Sequence, residues 1–306
     1  MSGKPIVLRL NDEFFDWDKV IVEEPTSYKR RGASTQNITS KVYFDVEGEK
    51  RPIFIELAPQ DFWVSEIHTF GLPMDQWTEE TLEGYQIPYP MTSLNTIENP
   101  TNDELAIKQA FDSMYEVACD AMENFCSVHR SECKVPAPTY SAFGVVKMDG
   151  DWSYAVKPMY DFQLTKDEKT GKKVADKSKP LKSYIKLKTW GKGKKLYNDA
   201  DLYGPGNELV HPRDLKRIRV NGHPVIKWEG IFWGSHGKKS YGASLTLRVT
   251  EMNFTPAPAG GDFHPKYRIL KPNNAPKEMD ITEDDDDDDY LSSDDDDDVE
   301  LPDFFK

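Results

Sequence analysis

The 306-residue chain has three cysteines and no apolar run near the roughly 20 residues of a membrane helix. Its first residues lack the long apolar segment of a secretory signal, so we expect none. So few cysteines, and an odd number of them, do not suit a disulfide-stapled secreted domain and indicate a reducing, intracellular compartment. Aromatic residues are not scarce: Phe, Trp and Tyr make up 12%. These features exclude membrane-spanning, disulfide-rich and wholly disordered proteins.

The sequence also lacks the motifs of catalytic and metal sites. No CxxC, GxSxG or HExxH occurs. Cys119, Cys126, His129 and Cys133 invite a zinc interpretation. On a continuous helix, however, the first two lie about 10.5 Å apart along the axis, at roughly 1.5 Å per residue. Zinc needs its sulfurs about 2.3 Å from one point. We therefore predict no metal, no cofactor and no enzymatic activity.

The formal charge of −14 is distributed very unevenly. Residues 164–248 carry 20 Lys and Arg against 8 Asp and Glu, a charge of +12. Residues 278–306 carry 16 acids and one lysine, a charge of −15. Asymmetry of this size predicts charged partners and says little about fold.

Period-two patterns predict a mainly β body. Residues 37–46 alternate, and a charged turn at 47–52 leads into 53–57 as the predicted hairpin partner. Further strands are predicted at 141–147, 152–157, 183–190, 224–233 and 244–252. In 224–233, Trp228 and Phe232 share a face with Ile226 and are expected in the core. Trp233 lies on the other face and is expected to be exposed.

One helical insert is predicted at about 101–133. Thr101 and Glu104 form a capping box, and a helical stripe follows at Ile107, Phe111, Met114, Ala118, Met122 and Phe125. We predict a core over 1–270 and a disordered acidic tail over 271–306. The fold class is mainly β (α+β), with long loops. An OB-fold-like β-barrel is one candidate, because that fold carries oligonucleotides on a sheet face; a β-sandwich is the alternative.

The most informative segment is Ser183 to Trp190. On a strand, Ile185 and Leu187 face the core, which leaves aromatic rings and ammonium groups together on the opposite face. Bases of any sequence stack on such rings, and lysines neutralise phosphates. The alternative is an ordinary solvated strand with snorkelling lysines. The predicted nucleic-acid contacts of this segment and the loop after it are Tyr184, Lys186, Lys188, Trp190, Lys192, Lys194, Lys195 and Tyr197.

Two other patches repeat the combination of basic and aromatic residues. One is Lys29, Arg30 and Arg31 with Lys41 and Tyr43 on the open face of the first hairpin. The other is Lys238, Lys239 and Tyr241. We predict that these residues contact nucleic acid as well.

The acidic tail ends in an apolar tip. A row of carboxylates mimics a phosphate backbone, so the tail could compete with nucleic acid for a basic groove. The tip suits docking to partner proteins, although charge runs usually serve only solubility. The predicted partner-binding residues are Leu301, Pro302, Phe304 and Phe305.

A basic body with an acidic tail and a Pro/Phe tip resembles the replicative single-stranded-DNA-binding proteins of bacteria and phages. Lys306 departs from that pattern, since no aromatic is the last residue. The chain also loosely resembles the single-stranded-DNA-binding proteins of nucleocytoplasmic large DNA viruses. That likeness rests on Asp16-Trp17-Asp18-Lys19, the basic stretch 28–31, the hairpin 37–57 and the helix 101–130. It implies an OB-fold, no catalysis, sequence-tolerant single-strand binding and a role in genome replication or repair.

We therefore predict a single-stranded DNA-binding protein of replication, recombination or repair, with RNA as an open alternative ligand. The tail would regulate binding and recruit replication proteins such as a polymerase or helicase. No membrane is expected, oligomerisation is open, and the location would be inside a phage- or virus-infected cell. The rival interpretations are an acidic-tailed chaperone or scaffold for basic proteins and a β-sandwich viral structural protein.

Overall fold

The computed structural model describes residues 6–9, 16–28, 37–69, 71–128, 156–167, 171–191, 193, 196–216, 218–233 and 243–257. These residues are mainly β with one α-helix, as predicted. The strands are β1 (Ile6–Arg9), β2 (Val20–Val22), β3 (Thr26–Tyr28), β4 (Asn37–Val46), β5 (Glu49–Arg51), β6 (Ile53–Glu56), β7 (Gln60–Trp63), β8 (Ser65–His68), β9 (Leu82–Pro90), β10 (Leu164–Lys166), β11 (Lys173–Ala175), β12 (Lys182–Leu187), β13 (Thr189–Trp190), β14 (Tyr197–Asn198), β15 (Asp201–Tyr203), β16 (Arg219–Trp233) and β17 (Ala243–Pro256).

The helices are one long α-helix and several single 3-10 turns. The α-helix, α1, spans Asn102–Val128. The 3-10 turns are Trp17–Lys19, Met74–Gln76, Glu79–Thr81 and Pro212–Leu215. Among the described helices, none is both long and apolar enough to cross a bilayer.

The predicted capping box begins α1. Thr101 N donates to Glu104 Oε2 at 2.8 Å, and Glu104 N donates to Thr101 Oγ1 at 3.3 Å. The other Glu104 oxygen accepts from Ser93 N at 2.6 Å and Thr96 Oγ1 at 2.7 Å. Burial opposes the charge of this carboxylate, but these hydrogen bonds outweigh it and lower the pKa of Glu104. The helix stripe is buried from Ile107 to Met122, and its residues share one core with the sheet.

The long strand β16 organises the sheet. It pairs antiparallel with β17 along its length, and with β4, β6 and β7 on its other side. Trp228 is fully buried in its middle, and its indole N–H donates to the Gly230 carbonyl at 3.1 Å. Gly230 is required because an added Cβ would lie 2.2 Å from the Ser40 carbonyl oxygen of β4. This close approach brings the N-terminal strand β4 onto the central sheet.

The main sheet follows the order β1-β6-β16-β17-β12-β9-β8, with β12 and β17 parallel. Taken strand by strand, this is an open path, and the described ladders do not close it into a barrel. Strand β7 pairs with β16, whereas β8 pairs with β9, and Val64 alone separates them. One short, continuous stretch of chain thus links the interior strand β16 to β8 at the end of this order.

Two expectations about individual strands were wrong. The partner of β4 in the first hairpin is β5; after Pro52 the chain leaves it, and β6 pairs with β16. Trp233 is 4% exposed because β4 covers it, and its indole N–H donates to Ser40 Oγ at 2.8 Å. The strands predicted at 224–233 and 244–252 are present, whereas the one predicted at 183–190 is a strand only to Leu187 and breaks at Lys188. The segment 141–147 and most of 152–157 lie outside the described residues.

Candidate nucleic-acid interface

Strand β12 has the two faces that its alternation predicts. Ser183, Ile185 and Leu187 are buried at 1–3% exposure, whereas Tyr184 is 55% exposed. Lys182 and Lys186 are half-buried on the same side as Tyr184. This strand therefore carries an aromatic ring between two lysines on a single face.

Cross-strand register extends that face with more positive charge. Lys186 lies opposite Arg248 of β17, and Arg248 lies opposite Lys227 of β16. In-register residues of a sheet share a face, and neighbouring strands are about 4.8 Å apart. A row of three cations therefore crosses three strands, with the Glu229 carboxylate 3.7 Å from Arg248 Nε. We call the surface formed by Lys182, Tyr184, Lys186, Arg248 and Lys227 the basic face.

A second aromatic ring borders the basic face. Trp63, at the end of β7, is 47% exposed, and Lys182 Nζ lies 5.1 Å from its ring centroid. Arg219 pairs with Trp63 across the β7–β16 ladder and forms an ion pair with Asp61 at 3.3 Å. Burial, followed by repulsion from Lys179 and Arg219, lowers the pKa of the Lys182 ammonium. A phosphate placed here would relieve that repulsion.

Lys41 also reaches the basic face. Thr246 lies two residues before Arg248 and pairs with Gly230, which pairs with Lys41 of β4. Tyr184 lies two residues before Lys186 on β12 and therefore faces the same side of the sheet. Tyr43 lies two residues further along β4, half-buried, and burial together with Glu23 raises the pKa of its hydroxyl. The structure thus brings the predicted residues of β4 and β12 onto one surface.

The basic face ends where carboxylates begin. On the far side of the cationic row, Glu251 of β17 pairs with Val225 of β16 and Asp201 of β15. Val225 in turn pairs with Glu56, which lies 3.2 Å from His223. Carboxylates therefore border the cationic row on this side, and the positive charge continues on the side of Lys182 and Trp63.

Of the residues predicted after Leu187 in this segment, the described ones are Lys188, Trp190 and Tyr197, and none of them belongs to a strand of the central sheet. Lys188 forms an ion pair with Asp199 at 2.7 Å. Trp190 belongs to the separate β13–β14 hairpin, where its ring stacks on Tyr197 with centroids 4.1 Å apart and planes 16° apart. Trp190 is half-buried and Tyr197 is 39% exposed. The interleaved face predicted over 184–190 is therefore divided between two sheets.

Many predicted contacts lie outside the described residues. They are Lys29, Arg30, Arg31, Lys192, Lys194, Lys195, Lys238, Lys239, Tyr241, Leu301, Pro302, Phe304 and Phe305. For metal ligation, the described residues contain no group of three or more His, Cys, Asp and Glu side chains placed to share an ion. Cys119 is half-buried on α1.

Sequence reasoning missed four residues at this surface: Trp63, Lys182, Arg248 and Lys227. Trp63 had a readable signal, because Phe62 and Trp63 are adjacent on a strand and must face opposite sides. Lys227 lies between the core residues Ile226 and Trp228, so its outward direction was also predictable. Arg248 is 8% exposed, and its place beside Lys186 depends on a parallel pairing that no local pattern reveals.

No family model matches the chain, and no curated protein matches it significantly. Among solved structures, the chain is similar to the crystal structure of gp2.5, a single-stranded DNA binding protein encoded by bacteriophage T7. The identity is 12% and the TM-score 0.28, over 67% of this chain and 91% of that chain.

Proposed function

We propose that this protein binds single-stranded nucleic acid, DNA in particular, without sequence specificity. The observation that carries the proposal is the basic face, where exposed Tyr184 and Trp63 flank Lys182 and the cationic row begins at Lys186. Aromatic rings accept any base by stacking, and the lysines and arginine neutralise phosphates. A duplex keeps its bases stacked inside, so these rings favour single strands.

We further propose that β7 to β9, β12, β16 and β17 form an OB-fold-like body. Three features support this. Val64 joins β7, which pairs with β16, to β8, which pairs with β9. Strand β12 pairs with β9 on one side and with β17, in parallel, on the other. Strands β9 and β12 would then be the second and third strands of such a barrel. Their outer surface would be the face on which OB-folds hold oligonucleotides.

The acidic tail completes the proposal. Residues 278–306, with a charge of −15, would compete with nucleic acid for the basic face. Their apolar tip, Leu301 to Phe305, would recruit replication proteins such as a polymerase or helicase. In this proposal the protein is non-enzymatic and works in replication, recombination or repair inside an infected cell.

Fluorescence anisotropy with a labelled single-stranded oligonucleotide tests the function. We expect binding at about 50 mM salt, weakening steeply towards about 200 mM, and poor competition by duplex DNA. Labelled RNA of the same sequence measures the preference between the two nucleic acids. A full-length variant with Asp284–Asp289 and Asp294–Asp298 changed to Asn should bind more tightly.

Each result bears on a separate part of the proposal. If neither the wild type nor the Asp→Asn variant binds the oligonucleotide at about 50 mM salt, the proposed nucleic-acid function is overturned. Equal affinity for duplex and single strand would overturn base stacking as its mechanism. Unchanged affinity in the Asp→Asn variant would leave the interface intact but contradict competition by the tail.

A further inference from the structure

The hairpin β10–β11 stands apart from the main sheet. Its two strands form their own antiparallel ladder, Leu164 opposite Ala175 and Lys166 opposite Lys173. Leu164 is 52% exposed and Val174 41% exposed, on opposite faces of the hairpin. A two-stranded hairpin without a buried face is marginally stable alone.

The hairpin and the stretch that leads to β12 carry a surplus of positive charge. Residues 164–181, which exclude Lys182 of the basic face, contain six lysines against three acids. Among the described lysines, Lys166, Lys172, Lys177 and Lys179 are exposed. One acid is already engaged, since Asp176 pairs with Lys179 at 2.9 Å. The surplus positive charge therefore faces solvent beyond the central sheet.

The hairpin is joined to the basic face at Lys182. Asp161 and Lys182 are bridge partners and exchange backbone hydrogen bonds of 2.9 Å. Above that bridge, Gln163 O accepts from Asp176 N at 2.8 Å, and the Gln163 side chain donates to the Pro180 carbonyl at 2.8 Å. Lys182 is also the residue over the Trp63 ring. The hairpin is thus anchored beside Trp63, on the side away from the carboxylates that close the basic face.

We propose that β10–β11 is a clamping arm that holds the stretch of single-stranded nucleic acid leaving the basic face past Trp63. This inference rests on the proposed function. Continuity with the basic face and the complementary charge of phosphates argue for this occupant. Lysines of the arm neutralise phosphates, while Leu164, which shares a face with Lys166 and Lys173, contacts sugars and bases. The basic face alone then holds a short strand, and the arm acts only on longer ones.

The test compares two full-length variants of equal charge. The arm variant is Lys166→Ser, Lys172→Ser, Lys173→Ser; the control is Lys19→Ser, Lys108→Ser, Lys188→Ser, outside both the arm and the basic face. Affinities are measured for oligothymidylates of about 6 and about 30 nucleotides, around the roughly 4–16 that one OB fold covers. In the arm variant, affinity for the long strand should fall at least tenfold. Its salt slope should fall by about 2, at roughly 0.7 per lost phosphate contact. Binding of the short strand and the control variant should match the wild type.

The outcomes separate this inference from the proposed function. If the wild type binds neither strand, the function itself fails. If it binds both, an arm variant that loses no more than the control, or loses equally at both lengths, overturns the arm. Tighter binding by the arm variant would identify the acidic tail as the occupant and would also overturn the proposal. A thermal unfolding midpoint matching the wild type checks that the core is intact.

Discussion

Strand β12 and the β13–β14 hairpin follow each other in the chain and have the same mixture of lysines and aromatics. In β12 the mixture lies on a sheet, with Tyr184 exposed and Lys186 in register with Arg248 and Lys227. In the hairpin the aromatic rings of Trp190 and Tyr197 stack on each other. Composition predicts an interface in both regions, but only β12 presents its ring and charges across several strands. The four predictions below test this difference.

The largest expected effect concerns the buried side of β12. Ile185→Ala removes a side chain that is 1% exposed, so it should lower the free energy of unfolding by about 2–5 kcal/mol. Leu196→Ala, at a half-buried position of the hairpin, should cost less than half as much. Urea denaturation of both variants measures the difference. Equal losses would mean that the hairpin is as much part of the core as β12.

The next effect concerns the cationic row. Replacing both Lys186 and Lys227 by Ala should weaken single-strand binding at least tenfold at low salt and reduce the salt slope by about 1.4. The matched control replaces Lys188, which is paired with Asp199, and Lys108, which is paired with Asp112 on α1. That control removes equal charge and should change the slope little. Identical slopes would show that net charge, rather than the row, determines affinity.

Tyr184→Ala isolates the stacking contribution of β12. Loss of one stacked base should cost about 1–3 kcal/mol, roughly a 5- to 150-fold loss of affinity. Tyr184→Phe keeps the ring and should bind like the wild type, whereas Tyr197→Ala should lose less than Tyr184→Ala. Anisotropy titrations give all three values. If Tyr184→Phe binds as weakly as Tyr184→Ala, the contact with nucleic acid is made by the hydroxyl and not by the ring.

The smallest effect is expected for Trp190→Ala. It breaks the stacked pair, which contributes about 0.5–1.5 kcal/mol beyond buried area, so thermal stability should fall slightly. Affinity for a short oligonucleotide should fall less than about threefold, since the Trp190 ring already stacks on Tyr197. If binding falls as far as in Tyr184→Ala, the hairpin belongs to the interface and the comparison fails.

Local patterns predicted the α-helix, several of the strands and part of the basic face. The Thr101–Glu104 cap, the stripe of α1 and the two faces of β12 all follow from spacing and residue type within a few positions. The extent of the basic face does not, because Lys186 and Arg248 are 62 residues apart and meet only through a parallel ladder. The break of the strand at Lys188 could not be predicted either, because the alternation of residue types continues through it. The Lys188 N–H donates to the Val249 carbonyl, whereas the Lys188 carbonyl accepts from the Asp199 N–H.

The long strand β16 has a consequence for synthesis of the protein. Its partners β4, β6 and β7 all come from the first 63 residues, whereas β16 itself begins at Arg219. At about 5–20 residues per second, the nascent N-terminal strands wait many seconds for their central neighbour to leave the ribosome. Unpaired strand edges are templates for aggregation during that interval. Chains terminated before Arg219 should therefore accumulate as insoluble protein, and chaperone demand should be highest early in translation.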